Sequence, residues 1–206
     1  QLYFFNPLVI IELVGNVHFE GTMLFFVFLG LFAVLQNKFW LAGLFIGLGI
    51  SIKLIPLVLL PLFLAFIGWR KSIKIYLGIA VINLLLLFPF LSNYLVNNFW
   101  KSIELYFQSF EFNASIYYVL KNISHSLIGY KSSLIGILLP ISILVITLFT
   151  TLSAYRKVKT KNVKFDFVLF SQYAVFLLLT YYLLSSPVHP WYVINLVIFS
   201  VFIKNK

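Results

Sequence analysis

Residues 134–155, LIGILLPISILVITLFTTLSAY, contain no charged side chain, and RKVKTKNVK (156–164) follows at once as a dense basic run. A helix needs about 20 predominantly apolar residues to cross a ~30 Å hydrocarbon core. This stretch reaches that length, and its basic flank is the mark of a span leaving the bilayer. Similar runs lie on either side of it. They are GTMLFFVFLGLFAVLQ (21–36), FWLAGLFIGLGIS (39–51), LIPLVLLPLFLAFIG (54–68), IYLGIAVINLLLLFPFL (75–91), FVLFSQYAVFLLLTYYLL (167–184) and WYVINLVIFSVFI (191–203). Together they predict an all-α, polytopic transmembrane helical bundle of about seven membrane segments, with residues 1–206 as a single transmembrane domain.

Composition agrees. The chain is 62% hydrophobic and 10% charged, with mean hydropathy +1.04, whereas soluble domains carry about 25% charged residues. The net charge of +10 does not indicate nucleic acid, because the basic residues sit in short clusters between apolar runs. The absence of cysteine excludes disulfides and thiolate metal sites. The chain starts at Gln1 on residues that are already apolar and lack a charged leader. It therefore reads as the C-terminal part of a longer protein.

The basic clusters set the orientation. Lys38, WRKSIK (69–74), RKVKTKNVK and the terminal KNK (204–206) all fall on one side if the spans alternate, and the positive-inside rule makes that side cytoplasmic. The alternation requires 39–53 and 54–69 to run up and back as a short hairpin of ~22 Å arms. Lys53 then lies at its tip. Glu12, Glu20, Glu104, Glu111 and the histidines His18, His125 and His189 all fall on the outer side, which places the chemistry there.

Each polar candidate has two readings. His18 and Glu20, in NVHFEGTM (16–23), either cap the following helix, where a carboxylate favours the positive dipole end, or line a site. Positions two apart do not share a helix face, so they are no two-ligand metal grip, and no metal site is expected. Lys53 is more telling. A lysine near mid-membrane costs ~2.5–3.5 kcal/mol on insertion scales and commonly faces a cavity or a partner. Either it snorkels, or it meets an anion such as a lipid phosphate. Pro56 and Pro61 close behind it free backbone groups that a cavity can use. Residues 97–112, NNFWKSIELYFQSFEF, place aromatics on one face and Lys101, Glu104, Gln108 and Glu111 on the other. This pattern suits an amphipathic helix in the outer interface. The N-x-S/T sequons at Asn113 and Asn122 count only in a secretory-pathway protein. In SSPVHPWY (185–192), two prolines bracket His189 ahead of the interfacial aromatics Trp191 and Tyr192.

Four stretches, taken in order, resemble the polyprenyl-phosphate-sugar-dependent glycosyltransferases of the GT-C superfamily, nearest to their mannosyltransferase-like branch. They are FFNPLVIIELVGNVHFEGTML, LAGLFIGLGISIKLIPLVLLPLFL, FEFNASIYYVL and SSPVHPWYV. The family pattern is an Asn-Pro, a His-x-acid, a glycine-rich span leading to Lys-x-x-Pro, and a late His-Pro-Trp-Tyr. The resemblance implies inverting transfer of a sugar, mannose, from a polyprenyl-phosphate donor to a lipid or glycan acceptor. It places this chemistry on the non-cytoplasmic face of a bacterial plasma membrane. By position, Lys53 contacts the donor phosphate, His18 and Glu20 are the catalytic candidates that orient donor or acceptor, and Asn6, His189 and Glu12 belong to the cavity rim. The lipid-linked sugar is a substrate, and no cofactor is implied. The family's principal carboxylate, commonly an aspartate of the first outer loop, has no counterpart here, since Asp166 falls on the cytoplasmic side. The chain alone is therefore expected to be inactive. Two rivals share these features: a transporter or flippase of lipid-linked sugars, and a non-catalytic subunit of a membrane complex.

Overall fold

In a computed structural model, residues 2–105, 111–129, 134–161 and 165–203 are described. Among them the regular structure is helical, with no strand beyond one isolated bridge between Phe112 and Pro187. A short α1 (Pro7–Val9) runs into a π-helical turn (Ile10–Gly15). The further helices are α2 (Glu20–Leu35), α3 (Phe39–Ile52), α4 (Leu60–Ile67), α5 (Trp69–Leu87), α6 (Asn93–Glu104), α7 (Ile116–Ile128), α8 (Ile135–Lys161), α9 (Phe167–Leu184) and α10 (Val193–Ser200).

Local chemistry sets the boundaries. Asn6 caps α1 by accepting from Leu8 N at 3.0 Å, with Pro7 in the first helical position, where its missing N–H costs nothing. Asp166 caps α9 in the same way, accepting from Leu169 N at 3.0 Å. Between α2 and α3 the chain turns at Asn37 (φ +58°), a residue type that tolerates the left-handed region. Helix α3 stops because Lys53 is fully extended (φ −150°, ψ 142°), and a 3₁₀ turn carrying Pro56 follows. Gly68 (φ +77°) then separates α4 from α5.

These breaks explain the count of spans. Among the described residues, three helices are long and apolar enough to cross a membrane: 69–90, 135–160 and 167–184. A fourth results if Pro7–Gly15 and Glu20–Leu35, bent by 109° at their junction, make one broken span. Residues 39–52, 55–67 and 190–200 form apolar helices too short to span alone. The polytopic helical architecture is therefore as the sequence reading has it, while length supports three or four spans where that reading counts about seven. The arms of the expected short hairpin also part company. Helix α3 packs between α2 and α5, whereas α4 packs on α8 and α9. Of the amphipathic helix expected over 97–112, the part up to Glu104 is helical as α6, and residues 106–110 lie outside the described residues.

Tight backbone approach holds the α2–α3–α5 layer together. A Cβ on Gly43 would lie 2.3 Å from the Ile75 carbonyl oxygen, and one on Gly30 would lie 2.4 Å from Ile46. Lipid tails are as apolar as leucine, so helices in a bilayer associate through close packing of small residues and through polar contacts. Asn83 supplies the polar contact. Its Nδ2 donates to Gly47 O at 3.2 Å, and its Oδ1 accepts from Ser51 at 3.0 Å. The main core joins α2–α5 with α9 and α10 around Leu62, Phe63, Phe170 and Leu177. Outward-facing leucines and phenylalanines on α5 and α8 form apolar surface larger than a soluble monomer tolerates. The chain is an integral membrane protein.

Candidate functional site

The site begins in the irregular segment ahead of α2. The π-helical turn of Ile10–Gly15 widens the backbone ring, with Asn16 N donating to Ile11 O at 2.8 Å, and it turns Glu12 inward, where it is buried. Such π-turns concentrate at functional sites. Val17 follows at φ +53°, a conformation that a β-branched residue adopts only under strain. Two contacts to Glu12 lock the strained turn. His18 N donates to Glu12 O at 3.0 Å, and Asn16 Nδ2 donates to Glu12 Oε2 at 2.9 Å. The same carboxylate oxygen lies 3.3 Å from His18 Nε2 and so fixes the imidazole.

Two residues later the chain enters α2 with Glu20, which is 0% exposed. Lys53 Nζ donates to Glu20 Oε1. The second oxygen, Oε2, is buried and has no hydrogen-bond partner among the described residues. Lys53 owes its reach to its extended backbone, which aims the side chain away from the axis of α3. Its ammonium also sits 5.5 Å from the centroid of the Tyr192 ring, a cation–π distance.

The loop between α9 and α10 closes the cluster. Trp191 stacks on His18 at 3.9 Å and on His189 at 4.4 Å, with planes 3° apart in the second pair. His189 stacks in turn on Phe112 at 4.6 Å, giving a continuous column of four rings, His18–Trp191–His189–Phe112. Backbone pairing fixes its far end, because Phe112 N donates to Ser186 O at 3.1 Å and Val188 N donates to Phe112 O at 2.7 Å. Tyr192 stacks on Tyr182, whose hydroxyl accepts from the buried Asn195 at 3.0 Å. Burial, with Lys53 and His18 nearby, lowers the pKa of His189 below its ordinary value, against an opposing pull from Glu20. His189 is thus neutral at neutral pH.

The structure therefore brings Glu12, His18, Glu20, Lys53 and His189 into one cluster, although they come from three separate stretches of the sequence, 12–20, 53 and 189. Asn6 stands apart, engaged as the cap of α1. Glu111 binds a different pair, accepting from Tyr117 and from Lys121 at 2.5 Å. Sequence reasoning assigned Trp191 and Tyr192 to the membrane interface and gave Phe112, Asn16, Tyr182 and Asn195 no role. For Asn195 a signal existed: an amide inside the apolar run VINLVIF invites a partner. Among the described residues no three His, Asp or Glu side chains gather closely enough to hold a metal ion.

Chemically, the cluster joins a cation that can neutralise developing negative charge, two buried carboxylates that can accept protons, and a neutral imidazole. A match to the model of glycosyltransferase family 87 covers residues 8–187, which takes in Glu12, His18, Glu20 and Lys53 and stops two residues short of His189. No curated protein and no solved structure matches the chain.

Proposed function

Because the chain belongs to glycosyltransferase family 87 and is a membrane glycosyltransferase, we propose that the Lys53–Glu20 cluster is the place where a lipid-linked sugar donor reacts. In this reading the donor is a polyprenyl-phosphate sugar, the sugar is mannose, and a lipid or glycan accepts it. The reaction is of GT-C type and faces the non-cytoplasmic side of a bacterial plasma membrane, opposite the basic clusters. An acceptor hydroxyl oxygen attacks the anomeric carbon as its proton passes to a carboxylate. The anomeric carbon–oxygen bond breaks, and the phosphate leaves with the electron pair. An ammonium poised at the departing oxygen stabilises that charge.

The observation that carries the reading is Lys53 itself. It is held at the end of a broken helix against a fully buried acid, and its side chain keeps 26% exposure, so a phosphate oxygen can reach it. The phosphate would compete with Glu20 for the ammonium and release the carboxylate toward the acceptor. His18 and His189, ordered by the ring column, orient the sugar, with Glu12 behind them. In this proposal the released Glu20 orients the acceptor, while the principal base is a carboxylate supplied from outside residues 1–206, without which the chain is inactive.

The test is transfer by the full-length parent protein, reconstituted with radiolabelled polyprenyl-phosphate mannose and membrane lipid acceptors. Lys53→Ala and Glu20→Gln, shown to be folded by gel filtration, should both lose transfer. Unimpaired transfer in both defeats the assignment. Donor that crosses between leaflets without sugar transfer identifies a flippase instead.

A further inference from the structure

A second feature lies away from that cluster, where α8 meets α9. An open groove of about 510 Å³ runs between them, and one of about 530 Å³ continues it along α8 toward the basic end of the helix. The two share Phe149, Ser153 and Lys157. Its apolar stretch is flanked by Phe149 and Phe176, both at least half exposed. Farther along, Ser153 and Tyr173 bridge the helices through their hydroxyls at 3.3 Å. Arg156 and Lys157 stand at its end, one turn beyond Ser153.

The lining thus changes in order along one helix face, from aromatic to hydroxyl to cationic. Bilayer lipids change the same way, from acyl chain to ester to phosphate. Among the described residues neither cation forms an ion pair, and Asp166, the nearest acid in sequence, caps α9. Two basic residues where a span leaves the hydrocarbon attract anionic headgroups. We propose that this groove binds an anionic glycerophospholipid, its phosphate between Arg156 and Lys157, its glycerol esters at Ser153 and Tyr173, and an acyl chain between Phe149 and Phe176. The site is separate from the Lys53 cluster and independent of the sugar-transfer reading.

The experiment is native mass spectrometry of the full-length protein ejected from nanodiscs of phosphatidylcholine containing a minor share of phosphatidylglycerol. One phosphatidylglycerol should be retained in preference to phosphatidylcholine. Each cation near an anionic headgroup contributes roughly fivefold, so Arg156→Gln with Lys157→Gln should weaken retention by about 25-fold. Arg70→Gln with Lys71→Gln, at another basic cluster, should leave retention unchanged. Ser153→Trp keeps both cations, fills the groove and should also release the lipid. Equal retention of the two lipids overturns the proposal, as does retention that ignores the groove substitutions. So does loss on charge removal alone, with Ser153→Trp retaining lipid, which would mean a diffuse surface attraction. A groove that holds no lipid in the full-length protein because another segment occupies it overturns it equally.

Discussion

Lys53 donates to Glu20 although 33 positions separate them in the chain, and Glu20 has no exposure to solvent. Removing one member of such a pair leaves an uncompensated buried charge, at a cost of about 3–5 kcal/mol, while replacing both by neutral groups of similar size is often harmless. Lys53→Met should therefore lower the thermal midpoint in detergent sharply, and Lys53→Met with Glu20→Gln should recover most of it. Sugar transfer should stay lost in the double variant. A double variant that regains transfer would reduce the pair to a structural strut.

The ring column makes stability depend on pH through His189. Its pKa is lowered in the folded protein by burial first and by Lys53 and His18 next. The unfolded chain keeps the ordinary histidine value of about 6.5 and binds the proton more readily. Stability from this residue is thus complete above about pH 6.5 and falls as the solution is acidified through that value. Melting curves between about pH 7.5 and pH 5 should show the decline, and His189→Phe, which keeps a stacking ring, should flatten part of it. Identical acid sensitivity in the two proteins would contradict the assignment.

Strain at Val17 can be relieved without cost to packing. The residue is 72% exposed and sits at φ +53°, where asparagine is far more at ease. Val17→Asn should raise stability by about 1 kcal/mol, read as a higher midpoint with transfer unchanged. A lower midpoint would mean that the valine side chain makes a contribution its exposure hides.

Helix α3 should tolerate no side chain at its contact with α5. A Cβ at Gly43 meets the Ile75 carbonyl oxygen at 2.3 Å, and at Gly47 it meets Ile82 Cγ2 at 2.2 Å, an atom held stiffly on a β-branched carbon. Gly43→Ala and Gly47→Ala should each carry an overpacking penalty of about 1–3 kcal/mol. Gly15→Ala, which meets nothing within 4 Å, serves as the near-neutral comparison. Equal losses at Gly43 and Gly15 would show that α3 and α5 do not approach as closely as described.

Much of the architecture was legible because length and hydropathy are local properties. A charge-free run such as 134–155 declares its helix without reference to anything else. Span count was less legible, because the sequence reading counts 39–51, 54–68 and 191–203 as membrane segments, whereas the helices there are too short to span alone. The polar candidates could be named from the sequence, since an ionisable group in so apolar a chain needs a reason. Their partners could not. Nothing in NVHFEGTM announces that His18 will lie on Trp191, because that contact depends on a π-turn, one strained residue and a distant loop. Asn6, read from the sequence as part of the cavity rim, uses its side chain to cap a single turn.

The 109° bend ahead of α2 has a consequence for traffic. An α2 that crosses the bilayer sets the helical segment before it, bent by 109°, near the membrane plane. For a lipid-borne donor, such a shelf is reached by gliding sideways with the tail still among its neighbours. Encounter is then a search in two dimensions, paced by lateral mobility within one leaflet and indifferent to how sparingly the lipid dissolves in water.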